Sequence, residues 1–200
     1  DYARAVGIPF AGGTPPDAPK TPSENLLQSY ETGDIRPDFS VQDGYTNQNG
    51  DFSPEQFIKK FLDLNNLGID RFDFGLNFPV LRYTDVLMMK AECLLKTNGS
   101  QAEVDLIVND VRERAGLGTV SNVTYEELME ERRREFIGEG LRWHDLVRSG
   151  LVLDVINNWI ESVGSNRIAN NITEDDILYP VPFDQMDVKS GLYEQNPGYL

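Results

Sequence analysis

Three glutamates follow one another at intervals of four residues in the segment ERRREFIGEG, at Glu131, Glu135 and Glu139. Two carboxyl groups at a suitable separation can hydrolyse a glycosidic bond, with one of them acting as a protonated acid. Here three arginines stand between the first two glutamates, and a neighbouring guanidinium lowers a carboxyl pKa so that no neutral acid remains at pH 7. The spacing therefore favours a structural ion network and a protein that is not an enzyme, with a glycoside hydrolase as the least favoured alternative.

The charges of this segment lie on the face of a predicted helix that also carries its apolar residues. Helical periodicity brings the charged positions together with Tyr125, Leu128, Met129 and Phe136. A charge taken out of water needs a close and well-oriented partner. We therefore expect Arg132 to pair with Glu135 or Glu139. In the next short helix we expect Arg142 to pair with Asp145.

The chain offers little other chemistry for catalysis or metal binding. His144 is its one histidine, and Asp145 points about 100° away from it on a helix, so the two do not form a dyad. We expect His144 to be a partly buried structural residue, and a histidine-based zinc cluster is excluded by the same shortage. Cys93 is the one cysteine; its apolar neighbours predict a small core residue.

A polar loop, DGYTNQNGD, carries the combination of side chains that sugars require. Tyr45 offers an aromatic face to the apolar side of a pyranose, and the amides of Asn47, Gln48 and Asn49 donate to and accept from hydroxyl groups. An ordinary solvated loop explains the same residues. The loop also resembles a calcium loop faintly, but Tyr45 occupies the first ligand position and Gln56 the last, so no metal is predicted.

Capping patterns locate the helices that must hold these residues. Ser100 and Thr124 each precede an acidic residue by three positions and begin amphipathic helices. The same pattern at Ser53 predicts a helix through Phe61. The alternating phenylalanines at positions 72 and 74 suggest an extended core segment. Two successive helices after Leu81 resemble one tetratricopeptide hairpin. These patterns predict several helices joined by irregular loops.

Composition limits the partners of this chain. Its net charge of −15 over 200 residues argues against nucleic acid and anionic membrane surfaces. No apolar run approaches the roughly 20 residues of a membrane-spanning helix. Residues 1–20 are rich in glycine and proline and read as a linker or loop. Residues 21–200 are long enough to form one core.

Four blocks of sequence, in order, carry a resemblance to a known family. They are LRYTDVLMMKAECLL, VNDVRERAGLG, ERRREFIGEGLRWHDLVRSG and the terminal YEQNPGYL. Together they resemble the C-terminal half of SusD/RagB-type outer-membrane nutrient-binding lipoproteins, over roughly residues 21–200. Asp85 stands where the family usually has Glu, and Cys93 where it has a small residue.

The resemblance implies a fold, a function and partners. The fold class that it implies is mainly α, with tetratricopeptide-like helical hairpins, irregular loops and at most a small β-hairpin. The resemblance also implies capture of an oligosaccharide, or less often a peptide, at the surface of a Gram-negative cell and delivery to a SusC-type TonB-dependent porin, without a cofactor. Members of the family are usually longer, so we expect this chain to lack N-terminal helical repeats and a lipid anchor to the outer membrane. The missing N-terminal half is then a partner. The alternative function is a helical-repeat scaffolding protein that binds no small ligand.

Overall fold

The computed structural model describes residues 22–46, 50–61, 77–163, 170–189 and 191–199. The prediction of a mainly helical fold is confirmed, and a small β-hairpin is also present. The chain forms two compact units, residues 1–140 and 141–200, which are described one at a time.

The first unit contains five helices and two strands among its described residues. In chain order they are α1 (Glu24–Gln28), α2 (Arg36–Ser40), β1 (Val41–Thr46), β2 (Phe52–Ile58), α3 (Tyr83–Lys96), α4 (Gln101–Arg114) and α5 (Tyr125–Glu135). α3 and α4 pack against each other across a short turn, and both contact α5. Their facing sides form the core, which contains Met88, Ala91, Val104, Val108, Val111, Leu128 and Met129.

Side-chain caps fix where the long helices begin. The Ser100 hydroxyl accepts a hydrogen bond from the backbone N–H of Glu103 at 3.3 Å. At α5, Thr124 and Glu127 cap each other reciprocally, because each side chain accepts from the other's backbone N–H, at 3.2 and 2.8 Å. Both bonds satisfy N–H groups that a helix leaves without an internal partner. The two starts predicted from the sequence are confirmed.

The helix predicted at Ser53 is wrong, because this segment forms strand β2. β1 and β2 pair in antiparallel fashion, from Val41 opposite Ile58 to Thr46 opposite Phe52. Pro54 falls where the register is irregular, opposite Gly44, a position where a strand tolerates a residue without an N–H. Val41 and Phe57 are buried. This burial against the rest of the unit outweighs a local capping pattern.

The second unit consists of short helices and a tail. It contains α6 (Arg142–Ser149), α7 (Val152–Val163), a 3₁₀ turn (Glu174–Ile177) and α8 (Phe183–Met186), and α6 packs on α7. The Gln195 side chain accepts from the N–H of Val181 at 2.7 Å and donates to its carbonyl oxygen at 2.9 Å. The Asn196 amide donates to the Tyr179 carbonyl oxygen at 2.7 Å. Two adjacent amides therefore tie the tail to the extended segment before α8.

Nothing in the described part of the chain is a helix both long and apolar enough to span a membrane.

The capping box of α5 gives a first testable prediction. Thr124→Ala removes the acceptor of the Glu127 N–H and should lower the free energy of unfolding by about 1 kcal/mol. Thr119 is exposed and lies outside any helix. Thr119→Ala should therefore change the free energy of unfolding by less than about 0.5 kcal/mol. Urea denaturation of the two variants measures both values. Equal losses would show that the cap contributes nothing.

Candidate functional site

One of the predicted ligand residues, Tyr45, belongs to the β-hairpin. Tyr45 is the penultimate residue of β1 and lies opposite Ser53 of β2. Asn47, Gln48 and Asn49 lie outside the described residues, so their role stays a prediction. The backbone position of Tyr45 places it directly before the connection between the strands.

Phe52 is an aromatic residue at the same end of the hairpin that the sequence reasoning missed. It is the first residue of β2, lies opposite Thr46 and is 70% exposed. The polar residues that precede Phe52, including Asp51, could have indicated its exposure. No neighbouring apolar residues form a periodic pattern that would place this phenylalanine in the core. Phe39 on α2 is also exposed; Phe72 and Phe74 lie outside the described residues.

No cluster of three or more metal-binding His, Cys, Asp or Glu side chains is found among the residues that the structure describes. In the hairpin, the Asp43 carboxylate accepts a hydrogen bond from the Gln56 side chain at 3.0 Å. This contact joins the two strands across Asp43 and Gln56, which face each other in the register. Asp43 therefore contributes to strand pairing.

The three glutamates of ERRREFIGEG are all buried, and each is held by cations. Their side chains are only 2%, 2% and 4% exposed for Glu131, Glu135 and Glu139. A buried carboxylate is tolerated in this way only when its oxygens are paired. We call these three residues and the cations that bind them the α5 network: Arg36, Lys60, Arg82, Arg112, Arg114 and Arg134.

The glutamates of the α5 network share some of their partners, because Arg36 contacts both Glu131 and Glu135. Glu131 accepts from Arg36 at 2.6 Å and from Arg134 at 2.8 Å. Glu135 accepts from Arg82 at 3.1 Å and lies 3.5 Å from Arg36.

Glu139, at the end of the network, binds two cations. Lys60 Nζ donates to its Oε1 at 2.6 Å, and Arg82 Nη2 donates to the same oxygen at 2.8 Å. Arg82 Nε also donates to Oε2 at 2.8 Å. Glu139 is thus shared by a lysine that follows β2 and an arginine that precedes α3.

Arg132 has a partner on another helix, because its Nη2 lies 2.7 Å from Asp85 Oδ1 on α3. The pairing with Glu135 or Glu139 that the sequence led us to expect stays a prediction. Its guanidinium also lies over the Phe136 ring at 4.9 Å from the ring centre, with that of Arg82 at 4.8 Å from the same centre. Partners from distant parts of the chain are invisible in a helical pattern, which reports only neighbours on one helix.

In the second unit, Asp145 is buried on α6 and accepts from Arg148 Nη2 at 2.8 Å. Arg148 lies one turn further along the same helix, where a side chain three positions away is a neighbour. Arg142 is the first residue of α6. Its pairing with Asp145 stays a prediction.

Two other sequence predictions are wrong. His144 is exposed, although we expected it to be partly buried. Cys93 is exposed, although we expected it in the core. The buried side of α3 is set by Met88 and Ala91, and Cys93 lies two residues beyond Ala91, about 200° around the helix.

The charges around Glu139 keep its carboxyl group deprotonated, so it cannot act as the protonated acid that hydrolysis would need. Burial raises the pKa of this carboxyl, but hydrogen bonds from Arg82 and Lys60 outweigh burial and hold the pKa below its usual range. Burial lowers the pKa of the Lys60 ammonium, and the neighbouring carboxylate only partly restores it. Glu139 is therefore ionised at neutral pH and has no proton to give.

Comparison with known proteins identifies the class to which this helical chain belongs. The sequence profile of the SusD family matches residues 38–199, and the chain belongs to that family. SusD-like protein P2 of Formosa agariphila is 29% identical in an alignment that covers 89% of this chain and 40% of that protein.

Solved structures share the fold. The surface glycan-binding protein A of Bacteroides fluxus has a TM-score of 0.72 at 24% identity, over 88% of this chain and 40% of that one. A laminarin-binding SusD-like protein has a TM-score of 0.64 at 27% identity, over 92% and 41%. The chain thus spans about two fifths of the length of these relatives.

The α5 network gives a second testable prediction. Glu139→Ala leaves Lys60 and Arg82 without their shared carboxylate in a buried place, and should lower the free energy of unfolding by about 3 kcal/mol. Glu126 is exposed on the first turn of α5, so Glu126→Ala should cost less than about 0.5 kcal/mol. Chemical denaturation measures both. Equal unfolding midpoints would show that the network adds no stability.

The lowered pKa of Glu139 makes a third prediction, on acid stability. A carboxyl whose pKa is lower in the folded state than in the unfolded state adds stability above its unfolded pKa, and the contribution is lost as pH falls through the folded value. The unmodified protein should therefore lose more stability than Glu139→Gln when pH falls from about 5 to about 3. Urea denaturation at several pH values tests this. Parallel pH profiles for the two proteins would contradict it.

Proposed function

We propose that this protein binds an oligosaccharide at the surface of a Gram-negative cell and passes it to a SusC-type TonB-dependent porin. The observation that carries the proposal is membership of the SusD family. A laminarin-binding SusD-like protein with the same fold, at 27% identity, supports a glycan rather than a peptide as the ligand. Anchoring to the outer membrane by an N-terminal lipid belongs to the same proposal.

Tyr45 and the amides of Asn47, Gln48 and Asn49 are proposed as ligand contacts. The end of a two-stranded hairpin is a suitable place for them, because it projects side chains outwards on a backbone fixed by strand pairing. Exposed Phe52, opposite Thr46, provides another aromatic surface at the same end. Aromatic rings and amides together match the apolar face and the hydroxyl groups of a sugar.

Binding without catalysis is proposed as the whole activity. Hydrolysis of a glycosidic bond needs a protonated carboxylic acid and a second carboxyl group that is free to act. The carboxylates of the α5 network face cations at hydrogen-bonding distance, and the pKa of Glu139 is lowered. Such groups are suited to hold a structure together rather than to exchange protons with a substrate.

A fourth prediction tests the ligand site. For an open site we expect dissociation constants of roughly micromolar to millimolar, because few groups are buried on binding. Tyr45→Ala should abolish the retardation of the protein in native gels that contain the polysaccharide that it binds, with laminarin included in the panel. Its melting temperature should stay nearly unchanged.

Tyr83→Ala is the matched control, because Tyr83 is an exposed tyrosine that belongs to α3 and not to the hairpin. It should leave retardation unchanged. Loss of stability with retained binding in Tyr45→Ala would make Tyr45 a packing residue. Failure of the unmodified protein to be retarded by any polysaccharide or to bind any peptide would favour the scaffolding alternative.

A further inference from the structure

The hairpin is attached to the α5 network on both sides of its base. The helix that leads into β1 begins with Arg36, whose Nη1 donates to Glu131 at 2.6 Å. Lys60 follows β2 by two residues, and its Nζ donates to Glu139 at 2.6 Å. Both chain segments that enter and leave the hairpin therefore end on carboxylates of one helix and the turn after it.

Lys60 makes the attachment on the side where the chain leaves the hairpin. Besides Glu139, its ammonium donates to the backbone carbonyl oxygen of Glu135 at 2.8 Å, and only 15% of its side chain is exposed. Two acceptors at the end of α5 therefore define the position of one buried ammonium. The negative end of the helix dipole lies there as well, which favours a cation.

Close packing at the same place leaves little room for the base to shift. Gly138 has a φ of +77°, and a Cβ at this position would stand 2.9 Å from Ile58 Cγ2 and 3.6 Å from Phe61 Cε2. The turn after α5 thus lies directly against the last residue of β2. Glycine is needed for both reasons, the left-handed backbone and the contact.

The geometry of the hairpin makes its base important for its end. β1 contains six residues, which at about 3.3 Å per residue extend for roughly 20 Å. A tilt of about 10° at the base would then move the end of the strand by about 3.5 Å. A hairpin of two strands is only marginally stable by itself. Its end can therefore hold a defined place only if the base is fixed from outside.

We propose that Lys60 and Glu139 are positioning residues, which fix the direction of the hairpin and hence the place of Tyr45. This rests on the proposed function in one respect, the role of Tyr45 as a ligand contact. Directed hydrogen bonds to a buried charge suit this task better than apolar contacts, because they are satisfied in only one arrangement.

A distance measurement in the absence of ligand tests the positioning. Cys93 is exposed and is the one cysteine of the chain, so it can carry a spin label in the native sequence. Thr46→Cys adds a second exposed site at the end of β1. Pulsed electron paramagnetic resonance then gives the distribution of distances between the two labels, from α3 to the end of the hairpin.

Lys60→Met, made in this labelled protein, should shift or broaden the distribution by about 3 Å or more, as the tilt of a strand of this length requires. Glu139 keeps Arg82 as a partner in this variant, so the fold should persist; circular dichroism checks it. Glu139→Gln is the second variant, should Lys60→Met fail to fold. The matched control is Lys90→Met, which removes the exposed ion pair of Lys90 with Glu103 between α3 and α4.

The proposal is overturned if Lys60→Met, or Glu139→Gln in its place, gives the same distribution as Lys90→Met. A shifted distribution together with lost gel retardation supports both the positioning and the ligand role of Tyr45. A shifted distribution with unchanged retardation supports the positioning of the hairpin by Lys60. It also shows that the ligand does not bind at the end of the hairpin. Because the distances are measured without ligand, failure of the proposed function does not obscure the result.

Discussion

Three carboxylates out of contact with water, all on or just after one helix, set the conditions for the rest of the first unit. Each needs a cation at hydrogen-bonding distance, and helix α5 alone supplies too few of them. The partners come from α2, from the end of β2, from the residue before α3 and from α4. Pairing the charges of α5 and the turn after it therefore requires that most elements of the unit contact this helix. Ion pairs of this kind add little net stability, but removing one partner is costly, so the arrangement enforces a particular assembly.

The sequence indicated the charged residues of this cluster but not the residues that pair with them. A helical repeat of 3.6 residues places charges on the apolar side, and burial follows because the neighbours are Leu128 and Met129. Several of the partners lie far away along the chain, with separations of 57 residues for Arg82 and 95 residues for Arg36, whereas Arg134 is only three residues from Glu131. Pairing at such separations depends on how the helices pack, and no local pattern contains that information.

Helix starts were predictable because a cap is a local interaction, and both Ser100 and Thr124 act as the pattern indicates. The same pattern at Ser53 gave the wrong element. A cap stabilises a helix by only about 1 kcal/mol, whereas Val41 and Phe57 become buried when this segment forms a strand. For the candidate ligand site, the sequence could predict only which residue types it contains, an aromatic ring and several amides, and not how they are arranged. Exposed Phe52 became visible once the register of the hairpin was known.

The proline in β2 has a consequence for the behaviour of the protein in crowded solutions. The two described strands pair with each other, and an open strand edge can pair with another chain and begin aggregation. Pro54 has no N–H, so β2 cannot offer a continuous row of donors to a second strand, and the irregularity opposite it at Gly44 disturbs the flat shape that such pairing needs. One residue that looked like the start of a helix thus makes the edge of β2 a poorer template for pairing with a second copy.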